Sequence, residues 1–255
     1  MVGEIRTAAR FDDRVENYAA HRPGYPAGVV RLLRDELGLA PASVVADVGS
    51  GTGILAEMFL REGCRVFAVE PNVLMRAAAE SRLNSYPNFE SVAGAAEATT
   101  LAAASVDFVA AAQAFHWFDA DRARAEFRRV LNAEGWAVVV WNNRRTESTA
   151  FLRDYEQLLR RFGTDYAQVS ATYSNRDRLA RLFPAGYRTA TFDNFQMFDY
   201  DGLRGRALSA SYVPLAGHPA HESMLAELSR VFDAHQQGGA VRVEYDTEVF
   251  YGRLE

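Results

Sequence analysis

The sequence predicts an α/β fold in which helices cover both faces of a largely parallel sheet. Apolar runs alternate between strand-like and helix-like spacing from residue 43 to residue 142. A glycine-rich turn follows the first predicted strand, and a carboxylate ends the second. Such alternation is typical of doubly wound sheets, which bind their ligands at the carboxyl ends of the strands.

The predicted elements of this alternating region follow one another closely. An apolar run at 44–48 ends in glycines, and Leu55, Met58 and Phe59 then recur at helical spacing over 54–61. The further elements, in chain order, are a strand at 65–70, a helix at 72–83, strands at 89–93 and 106–112, a helix at 121–131 and a strand at 136–141.

Helices and two further strands flank the alternating region. Upstream, prolines in the segment H-R-P-G-Y-P break a helix at about 11–20 and start another at about 27–38. Downstream, the sequence predicts helices at about 149–162, 175–182 and 218–235, and an antiparallel pair of strands at 188–198 and 241–251.

No repeat or low-complexity linker divides the chain, so we expect one structural domain. Its predicted parts are an N-terminal helical lid (1–40), a ligand-binding core (41–145) and a C-terminal part that completes the sheet and covers the substrate side (146–255).

The composition excludes several classes of chemistry. All 28 basic side chains are arginine, so the chain has no lysine for a Schiff base or a Walker A phosphate loop. The one cysteine, Cys64, cannot form an internal disulfide, a CxxC pair or a Cys-rich zinc site. Histidines 218, 221 and 235 lack metal-ligand spacing, so no metal site is expected.

Charge and hydropathy indicate a protein that works on neither nucleic acid nor membranes. The net charge is −5, and arginine pairs at 128/129, 144/145 and 160/161 are scattered as on solvated helix faces. No apolar run reaches the length of a membrane helix, and the first fourteen residues lack a signal-peptide core. The expected location is the cytoplasm.

The most informative segment is the glycine loop that follows the first strand. It has the form G-x-G-x-G at Gly49, Gly51 and Gly53, with Asp47 two residues before it, whereas a dinucleotide fingerprint needs its third glycine where Ile54 stands. Glu70 ends the second strand, where a carboxylate can accept both hydroxyls of a ribose. This spacing favours a nucleoside ligand without a pyrophosphate.

Five segments together resemble a known family. D-V-G-S-G-T-G, V-F-A-V-E-P-N, G-A-A-E, A-A-Q-A-F-H-W-F and R-R-V-L-N-A-E-G-W occur in this order, within a resemblance that covers roughly residues 10 to 145. In order and spacing they resemble the class I S-adenosylmethionine-dependent methyltransferases of the type 11 group. The resemblance implies a Rossmann-like seven-stranded sheet, mostly parallel with an antiparallel last strand.

The resemblance also implies a cofactor site for S-adenosylmethionine, with S-adenosylhomocysteine as the product. It places the glycine loop under the methionine and ribose, Asp47 at the loop or at the cofactor's ammonium group, and Glu70 at the ribose hydroxyls. The acid could alternatively serve only the N-terminus of the following helix. The implied cofactor-binding residues are Tyr18, Arg22, Asp47, Gly49, Ser50, Gly51, Gly53, Glu70, Pro71, Met75, Ala96, Glu97 and Gln113.

The implied site departs from the family pattern on its adenine side and is bordered by an N-terminal lid. Ala95 stands where the family usually has an aspartate that reaches the adenine amino group, so the backbone of Ala96 and Glu97 would have to contact the base. A lid segment containing Phe11, Tyr18, Arg22-Pro23 and Tyr25-Pro26 resembles the group's N-terminal closure. Arg22 there could pair with the cofactor carboxylate or be an ordinary turn residue.

His116 is the candidate catalytic base, because it follows the fourth strand of the core at the ligand-binding edge. The alternative is a packing residue among Phe115, Trp117 and Phe118. The candidate substrate contacts are Tyr25, Trp117, Trp141, Asn142, Arg144 and Tyr212, together with Asn143 and Arg206. For Tyr212 and Arg206, a surface helix and turn is an equally good interpretation.

These observations favour an S-adenosylmethionine-dependent methyltransferase that acts on an oxygen, nitrogen or sulfur atom of a small molecule. Some relatives with the Q-A-F-H-W-F signature esterify small carboxylic acids, for which Arg144 or Arg206 would be suitable. The alternatives are a nucleic-acid or protein methyltransferase and a cofactor-binding protein without transferase activity. The sequence leaves open whether the protein is a monomer or a homodimer.

Overall fold

A computed structural model of the chain describes residues 14–168 and 176–254. It contains seven strands: β1 Val44–Val48, β2 Arg65–Val69, β3 Phe89–Val92, β4 Val106–Ala112, β5 Leu131–Arg144, β6 Arg188–Phe198 and β7 Val241–Gly252. The α-helices are α1 Val15–His21, α2 Ala27–Leu37, α3 Ile54–Arg61, α4 Val73–Leu83, α5 Ala120–Val130, α6 Ala150–Phe162, α7 Arg176–Leu182, α8 Tyr200–Leu208 and α9 His221–His235.

The seven strands form one sheet in the order β3-β2-β1-β4-β5-β7-β6. Strands β1 to β5 pair in parallel, whereas β7 runs antiparallel to both β5 and β6. The predicted fold is therefore confirmed, including the antiparallel last strand. The order reverses beside β1, so the loops after β1 and β4 separate and leave a crevice for a ligand.

Apolar side chains pack on both faces of the sheet, which explains the nearly continuous apolar runs of the central strands. One face is covered by α5, with Phe115 and Phe127 fully buried against Val109 and Val139. Helices α2 and α3 cover the other face, in a cluster that contains Leu33, Phe59, Val45, Val66 and Val138. Alternate residues of β5 thus contribute to opposite cores, as the strand period requires.

A third apolar cluster lies in the C-terminal part of the chain. It joins α6, α8 and α9 to the first half of β7 through residues such as Leu152, Leu203, Leu228 and Tyr245. We call α6, α8 and α9 the C-terminal helical layer. With α1, this layer borders the carboxyl edge of the sheet.

Several elements differ from the sequence prediction or extend beyond it. Strand β5 continues to Arg144 instead of ending at Trp141, because its polar end pairs with β7 as far as Tyr245. Helix α8 is a definite helix whose buried face includes Arg206, so the surface interpretation of this segment was wrong. Helix α1 begins at Val15 and α7 at Arg176; Phe11 and residue 175 lie outside the described residues.

Candidate functional site

The carboxyl ends of four strands meet at one edge of the sheet and bring the predicted site residues together. The glycine loop follows β1, Glu70 follows β2 and Gln113 follows β4. Asn142 lies near the end of β5. Parallel strands expose their carboxyl ends on the same side, so residues distant in sequence become neighbours there.

The glycine loop turns so tightly that two of its glycines cannot be replaced without displacing a neighbour. Gly49 has a φ of +69°, and a Cβ there would lie 2.6 Å from the Cβ of Ala114. Gly53 has a φ of +79°, and a Cβ would lie 2.6 Å from a methyl carbon of Leu83. Both the left-handed conformation and the close packing therefore need glycine.

Three buried polar atoms around this loop have no hydrogen-bond partner within the described residues: Asp47 Oδ2, Ser50 Oγ and Thr52 Oγ1. These three side chains line a small cavity of about 20 Å³, together with Tyr18 and Tyr25. Burial raises the pKa of Asp47 to about 7, and the nearby charge of Glu70 raises it too, against a hydrogen bond from the Ala56 amide. Unsatisfied buried polar atoms are uncommon, and here they suit a polar, cationic ligand group.

The side chain of Glu70, which follows β2, is hydrogen-bonded to the glycine loop. One carboxylate oxygen accepts from the Gly51 amide at 3.0 Å, and the other from the Asn72 amide at 2.9 Å. Burial raises the pKa of Glu70, while these two amides act in the opposite direction. Helix α4 is instead capped by Asn72, whose side chain accepts from the amides of Leu74 and Met75, so Glu70 is not the capping residue of this helix.

The predicted adenine side contains both exposed and buried residues. Pro71 is exposed, whereas Met75 is only 4% exposed and belongs to the core. The exposed apolar side chains here are Val73 and Leu74, at 64% and 45%. The first turn of α4 therefore exposes Val73 and Leu74 as an apolar surface. The sequence had indicated Met75 as the residue beside adenine.

The loop after β3 is held by backbone contacts and by one acid. The Ala95 amide donates to Ala98 O at 3.2 Å, and the Ala98 amide donates back at 3.0 Å. Ala96 is buried, and Glu97 accepts from the Asp119 amide at 2.7 Å. The Glu97 side chain thus anchors this loop to the start of α5, which leaves backbone groups for any contact with a base.

A larger cavity of about 360 Å³ adjoins the glycine loop. It shares Tyr18, Tyr25 and Ile54 with the small cavity. Its remaining walls come from the ends of β4 and β5 and from the C-terminal helical layer, and it includes the predicted residues Arg22, Gln113, Asn142, Asn143, Arg144, Arg206 and Tyr212.

Two amide side chains organise the floor of this cavity. Gln113 has a φ of +56°, which is unusual outside glycine, and its Nε2 donates to Asn142 O at 3.2 Å. Asn142 Nδ2 donates to Gly24 O at 3.1 Å, and its Oδ1 accepts from Asn194 at 3.1 Å and from Thr247 at 2.5 Å. Asn142 therefore ties the loop after α1 to the sheet.

The described part of the N-terminal lid, from Arg14 onward, is docked on the C-terminal helical layer. Arg14 donates to the carbonyls of Leu208, Ala210 and Val213 at 2.9, 2.5 and 2.8 Å. Arg22 donates to Ser209 O at 2.9 Å, and its guanidinium carbon lies 4.7 Å from the centre of the Tyr18 ring. The lid is thereby positioned over the glycine loop.

Arg144 enters the cavity with most of its side chain buried. Its Nη2 donates to Glu156 at 2.5 Å and to the Tyr166 hydroxyl at 3.1 Å. Glu156 also accepts from Tyr166 at 2.5 Å and from Arg160 at 2.8 Å. Burial raises the pKa of Glu156, but the hydrogen bonds from Tyr166 and Arg144 outweigh it and hold the pKa below its usual value.

His116, Trp117 and Trp141 do not line the larger cavity. His116 is 6% exposed and lies with its ring 4.5 Å from that of Trp117. Burial lowers the pKa of His116 to about 3, and the charges of Arg178 and Arg22 contribute. Trp141 is 2% exposed and packs on Phe250. These positions favour a packing role.

Several cavity residues carry no sequence signal for a site. Glu156, Arg160 and Tyr166 lie in or just after a helix whose periodicity predicts only amphipathic packing. The pairs 144/145 and 160/161, interpreted as solvated faces, each contribute one arginine to the cavity. One sequence feature could have indicated them: Glu156 is an acid among the apolar residues on the buried face of α6.

Neither a metal site nor a membrane span is found in the described parts of the chain. Within 14–168 and 176–254, no three His, Cys, Asp or Glu side chains are grouped to hold a metal ion. Across the same ranges, no helix combines the length and the apolarity needed to cross a bilayer.

Comparison with known proteins identifies the family. A family described as a methyltransferase domain matches residues 46–139. An uncharacterized methyltransferase-like protein of Schizosaccharomyces pombe is 31% identical over 257 residues, covering 96% of this chain and 95% of that protein. An uncharacterized methyltransferase of Mycobacterium tuberculosis is 36% identical over 153 residues, 60% of each chain.

Solved structures agree in fold. A structure assigned as a type II methyltransferase from Anaeromyxobacter dehalogenans has a TM-score of 0.69 and 26% identity, and the match covers 91% of this chain and 98% of that one. Geranyl diphosphate C-methyltransferase from Streptomyces coelicolor, solved with S-adenosyl-L-homocysteine, has a TM-score of 0.55 and 14% identity over 100% and 99% of the chains.

The sheet order and the glycine loop thus define a class I methyltransferase fold. The chain belongs to the methyltransferase-domain family, as its five motifs indicated.

Proposed function

We propose that the protein transfers a methyl group from S-adenosylmethionine to an oxygen, nitrogen or sulfur atom of a small molecule. The observation that carries this proposal is the set of partnerless buried polar atoms around the glycine loop, Asp47 Oδ2 above all. They lie beside a cavity large enough for a second, small ligand.

The residues present fit the cofactor. Asp47 would receive its ammonium group and Arg22 its carboxylate, while Glu70 would accept from the ribose hydroxyls. Exposed Pro71 and Leu74 would contact adenine, with backbone groups near Ala96 at the base edge. The related geranyl diphosphate enzyme, which shares the fold, binds S-adenosyl-L-homocysteine.

The bound cofactor would supply a methyl group on a positively charged sulfur, which is already an activated electrophile. The protein's own residues have to hold the acceptor atom in line and exclude water. Tyr18 and Tyr25 line both cavities and are placed to do this at their junction. Asn142 fixes the same region by holding the Gly24 carbonyl.

The larger cavity offers no free carboxylate as a proton acceptor within the described residues. Its one acid, Glu156, is hydrogen-bonded to Arg144, Arg160 and Tyr166. We therefore propose that the acceptor atom arrives with its lone pair available, without a general base such as His116. The net charge of −5 and the limited volume support a small molecule over a nucleic acid.

Titration calorimetry with S-adenosylhomocysteine tests the cofactor assignment. Glu70→Gln keeps the shape of the side chain but removes its charge, and we expect affinity to fall about 10- to 100-fold, as for a lost charged hydrogen bond. Glu90→Gln on β3 changes an exposed acid and is the matched control, with unchanged affinity expected. Equal affinity in all three proteins would refute the site.

A methyl-transfer screen then tests the acceptor class. Acids, phenols, amines and thiols are offered with labelled S-adenosylmethionine, and RNA and protein extracts are included as competing classes. Transfer to a small molecule supports the proposal. Transfer only to RNA or protein would replace the acceptor class, and cofactor binding without any transfer would favour a binding protein.

A further inference from the structure

The edge strand β6 holds the segment that joins α1 to α2 by two of its carbonyl groups. Asn194 and Gln196 lie two residues apart, so they share one face of the strand. Gln196 Nε2 donates to the carbonyl of His21 at 3.2 Å, and Asn194 Nδ2 donates to the carbonyl of Gly24 at 2.9 Å. The chain between these carbonyls contains Arg22 and is therefore tied to β6 on both sides.

The same face of β6 also contacts the start of α2. A Cβ on Gly28 would lie 2.6 Å from the ring of Phe192, so the first turn of the helix packs directly on this ring. Phe192, Asn194 and Gln196 thus contact the segment 21–28 in reverse order along the chain. Alternate residues of one strand position the whole connection between the first two helices.

Asn194 is the central member of this row, and both polar atoms of its side chain are hydrogen-bonded. Its Oδ1 accepts from the Phe195 amide at 2.9 Å, and its Nδ2 also donates to Asn142 Oδ1 at 3.1 Å. Thr247, which is 0% exposed, donates its hydroxyl to the same Asn142 oxygen at 2.5 Å. Because two donors occupy this oxygen, the amide nitrogen of Asn142 is turned toward the Gly24 carbonyl.

The turn needs such external contacts. Two residues of the segment 22–26, Pro23 and Pro26, have no amide hydrogen, so the turn can form few hydrogen bonds of its own. It nevertheless carries Arg22 and Tyr25, which line the larger cavity, and Tyr25 also lines the small cavity beside the glycine loop. The strands that hold the turn therefore decide where these two side chains lie.

We propose that Asn194 and Thr247 are positioning residues for the cofactor site. Both act through the Gly24 carbonyl, whose position sets that of Arg22 and Tyr25. Asn194 holds this carbonyl directly, whereas Thr247 orients the neighbouring amide that holds it. This inference rests on the proposed function, because it takes Arg22 and Tyr25 to border the amino-acid part of the cofactor. The antiparallel strands β6 and β7 thereby take part in cofactor binding.

Calorimetry with S-adenosylhomocysteine and with methylthioadenosine tests the role of Asn194. Methylthioadenosine keeps the nucleoside and the sulfur but lacks the amino-acid part. Asn194→Ala should weaken binding of S-adenosylhomocysteine about 5- to 10-fold, as for one or two lost hydrogen bonds, and binding of methylthioadenosine less than about twofold. Thr191→Ala changes an exposed residue on the opposite face of β6 and is the matched control, with both affinities unchanged.

A double-mutant cycle shows whether Asn194 acts through the turn. In a protein that carries both Arg22→Ala and Tyr25→Ala, the side chains that the turn presents are already absent. Adding Asn194→Ala there should weaken binding of S-adenosylhomocysteine by no more than about twofold. A further loss of about 5- to 10-fold would show that Asn194 does not act through these residues and would overturn the inference.

Thr247 allows packing and hydrogen bonding to be separated. Thr247→Val keeps the shape of the buried side chain but removes the hydroxyl, and it should weaken binding of S-adenosylhomocysteine about threefold or more. Thr247→Ser keeps the hydroxyl and should bind like the wild type. Weaker binding by the serine variant than by the valine variant would show that only packing matters here and would contradict the proposed role of Thr247.

If Asn194→Ala does not fold, Asn194→Asp keeps the shape of the side chain but removes the donor, and the same selective loss is expected. Unchanged affinities in the Asn194 and Thr247 variants would overturn the positioning role and leave the proposed function intact. An equal loss for both ligands would indicate a general disturbance of the fold and would also overturn it. Failure of the wild-type protein to bind S-adenosylhomocysteine would instead refute the proposed function, and this inference with it.

Discussion

Some residues of the candidate site lower the stability of the ligand-free protein. Asp47 is 1% exposed, and one of its oxygens has no hydrogen-bond partner among the described residues. Burial raises the pKa of Asp47 to about 7. An acid whose pKa is raised in the folded state weakens folding at every pH above its unfolded pKa. The effect grows as pH rises from about 4 and is complete above about 7.

Asp47→Asn should therefore stabilise the ligand-free protein at pH 8, by up to about 4 kcal/mol at about 1.4 kcal/mol per pKa unit. The measurement is urea unfolding at pH 8 and at pH 4, and the gain should nearly vanish at pH 4. Equal stability of the two proteins at pH 8 would contradict the assignment of a strained carboxylate.

The same carboxylate makes cofactor binding release a proton. An ammonium group near Asp47 favours the charged form, so binding of S-adenosylhomocysteine should release a substantial fraction of a proton at pH 6.5. Calorimetry in buffers of different ionisation enthalpy counts that proton. Methylthioadenosine and the Asp47→Asn variant are the controls, and proton release in either would remove Asp47 as its source.

His116 should titrate as a buried neutral imidazole. Its pKa is lowered to about 3, below the unfolded value, so the unfolded state binds one more proton between about pH 4 and 6 and stability falls as pH falls. His116→Asn should reduce that slope by about 1.4 kcal/mol per pH unit. Urea unfolding across this range checks it.

Activity gives an independent check on the same residue. Once an acceptor is known, His116→Asn should keep the shape of the wild-type pH–rate profile. Loss of the ascending, low-pH limb of that profile in the variant would restore His116 as the catalytic base.

Among the elements, α1 depends on close packing against α8. A Cβ at Gly205 would lie 2.2 Å from the imidazole ring of His21, the last residue of α1. Backbone carbonyls at the end of α8 also accept from Arg14 and Arg22. Helix α8 therefore helps to hold α1 in place, and a displacement of α1 would also displace Tyr18 and Arg22.

Gly205→Ala should displace α1, although alanine ordinarily stabilises a helix by about 1 kcal/mol over glycine. We expect S-adenosylhomocysteine to bind about 10-fold more weakly, through loss of the Tyr18 and Arg22 contacts. Gly24→Ala is the control, because nothing lies within 4 Å of a Cβ there. Calorimetry measures the affinity of both variants for S-adenosylhomocysteine. Wild-type affinity in Gly205→Ala would show that the lid does not contribute to cofactor binding.

At the scale of the whole molecule, β7 connects all three apolar clusters. Its residues Val241, Val243 and Tyr245 belong to the cluster of the C-terminal helical layer, while Val249 and Phe250 belong to opposite faces of the central sheet. A strand shared in this way couples the C-terminal part to the core.

The chain should therefore unfold in one cooperative transition. Its three tryptophans, at 117, 136 and 141, report on the core, whereas far-ultraviolet circular dichroism also includes the C-terminal helices. The two midpoints should coincide. Phe250→Ala should lower the free energy of unfolding by about 3–5 kcal/mol and shift both midpoints together. Two separate midpoints would show that the C-terminal part is an independent domain.

The sequence by itself determined the alternating elements, the glycine loop and Glu70, because strand and helix periods and left-handed glycines are local properties of the chain. It also indicated the family and most of the residues that would surround the cofactor. The tertiary structure alone decided that Met75 is core while Leu74 is exposed, and that Arg206 is buried at a cavity wall. Burial and charge pairing depend on contacts between residues as far apart as Arg206 and Tyr245, which no local pattern encodes.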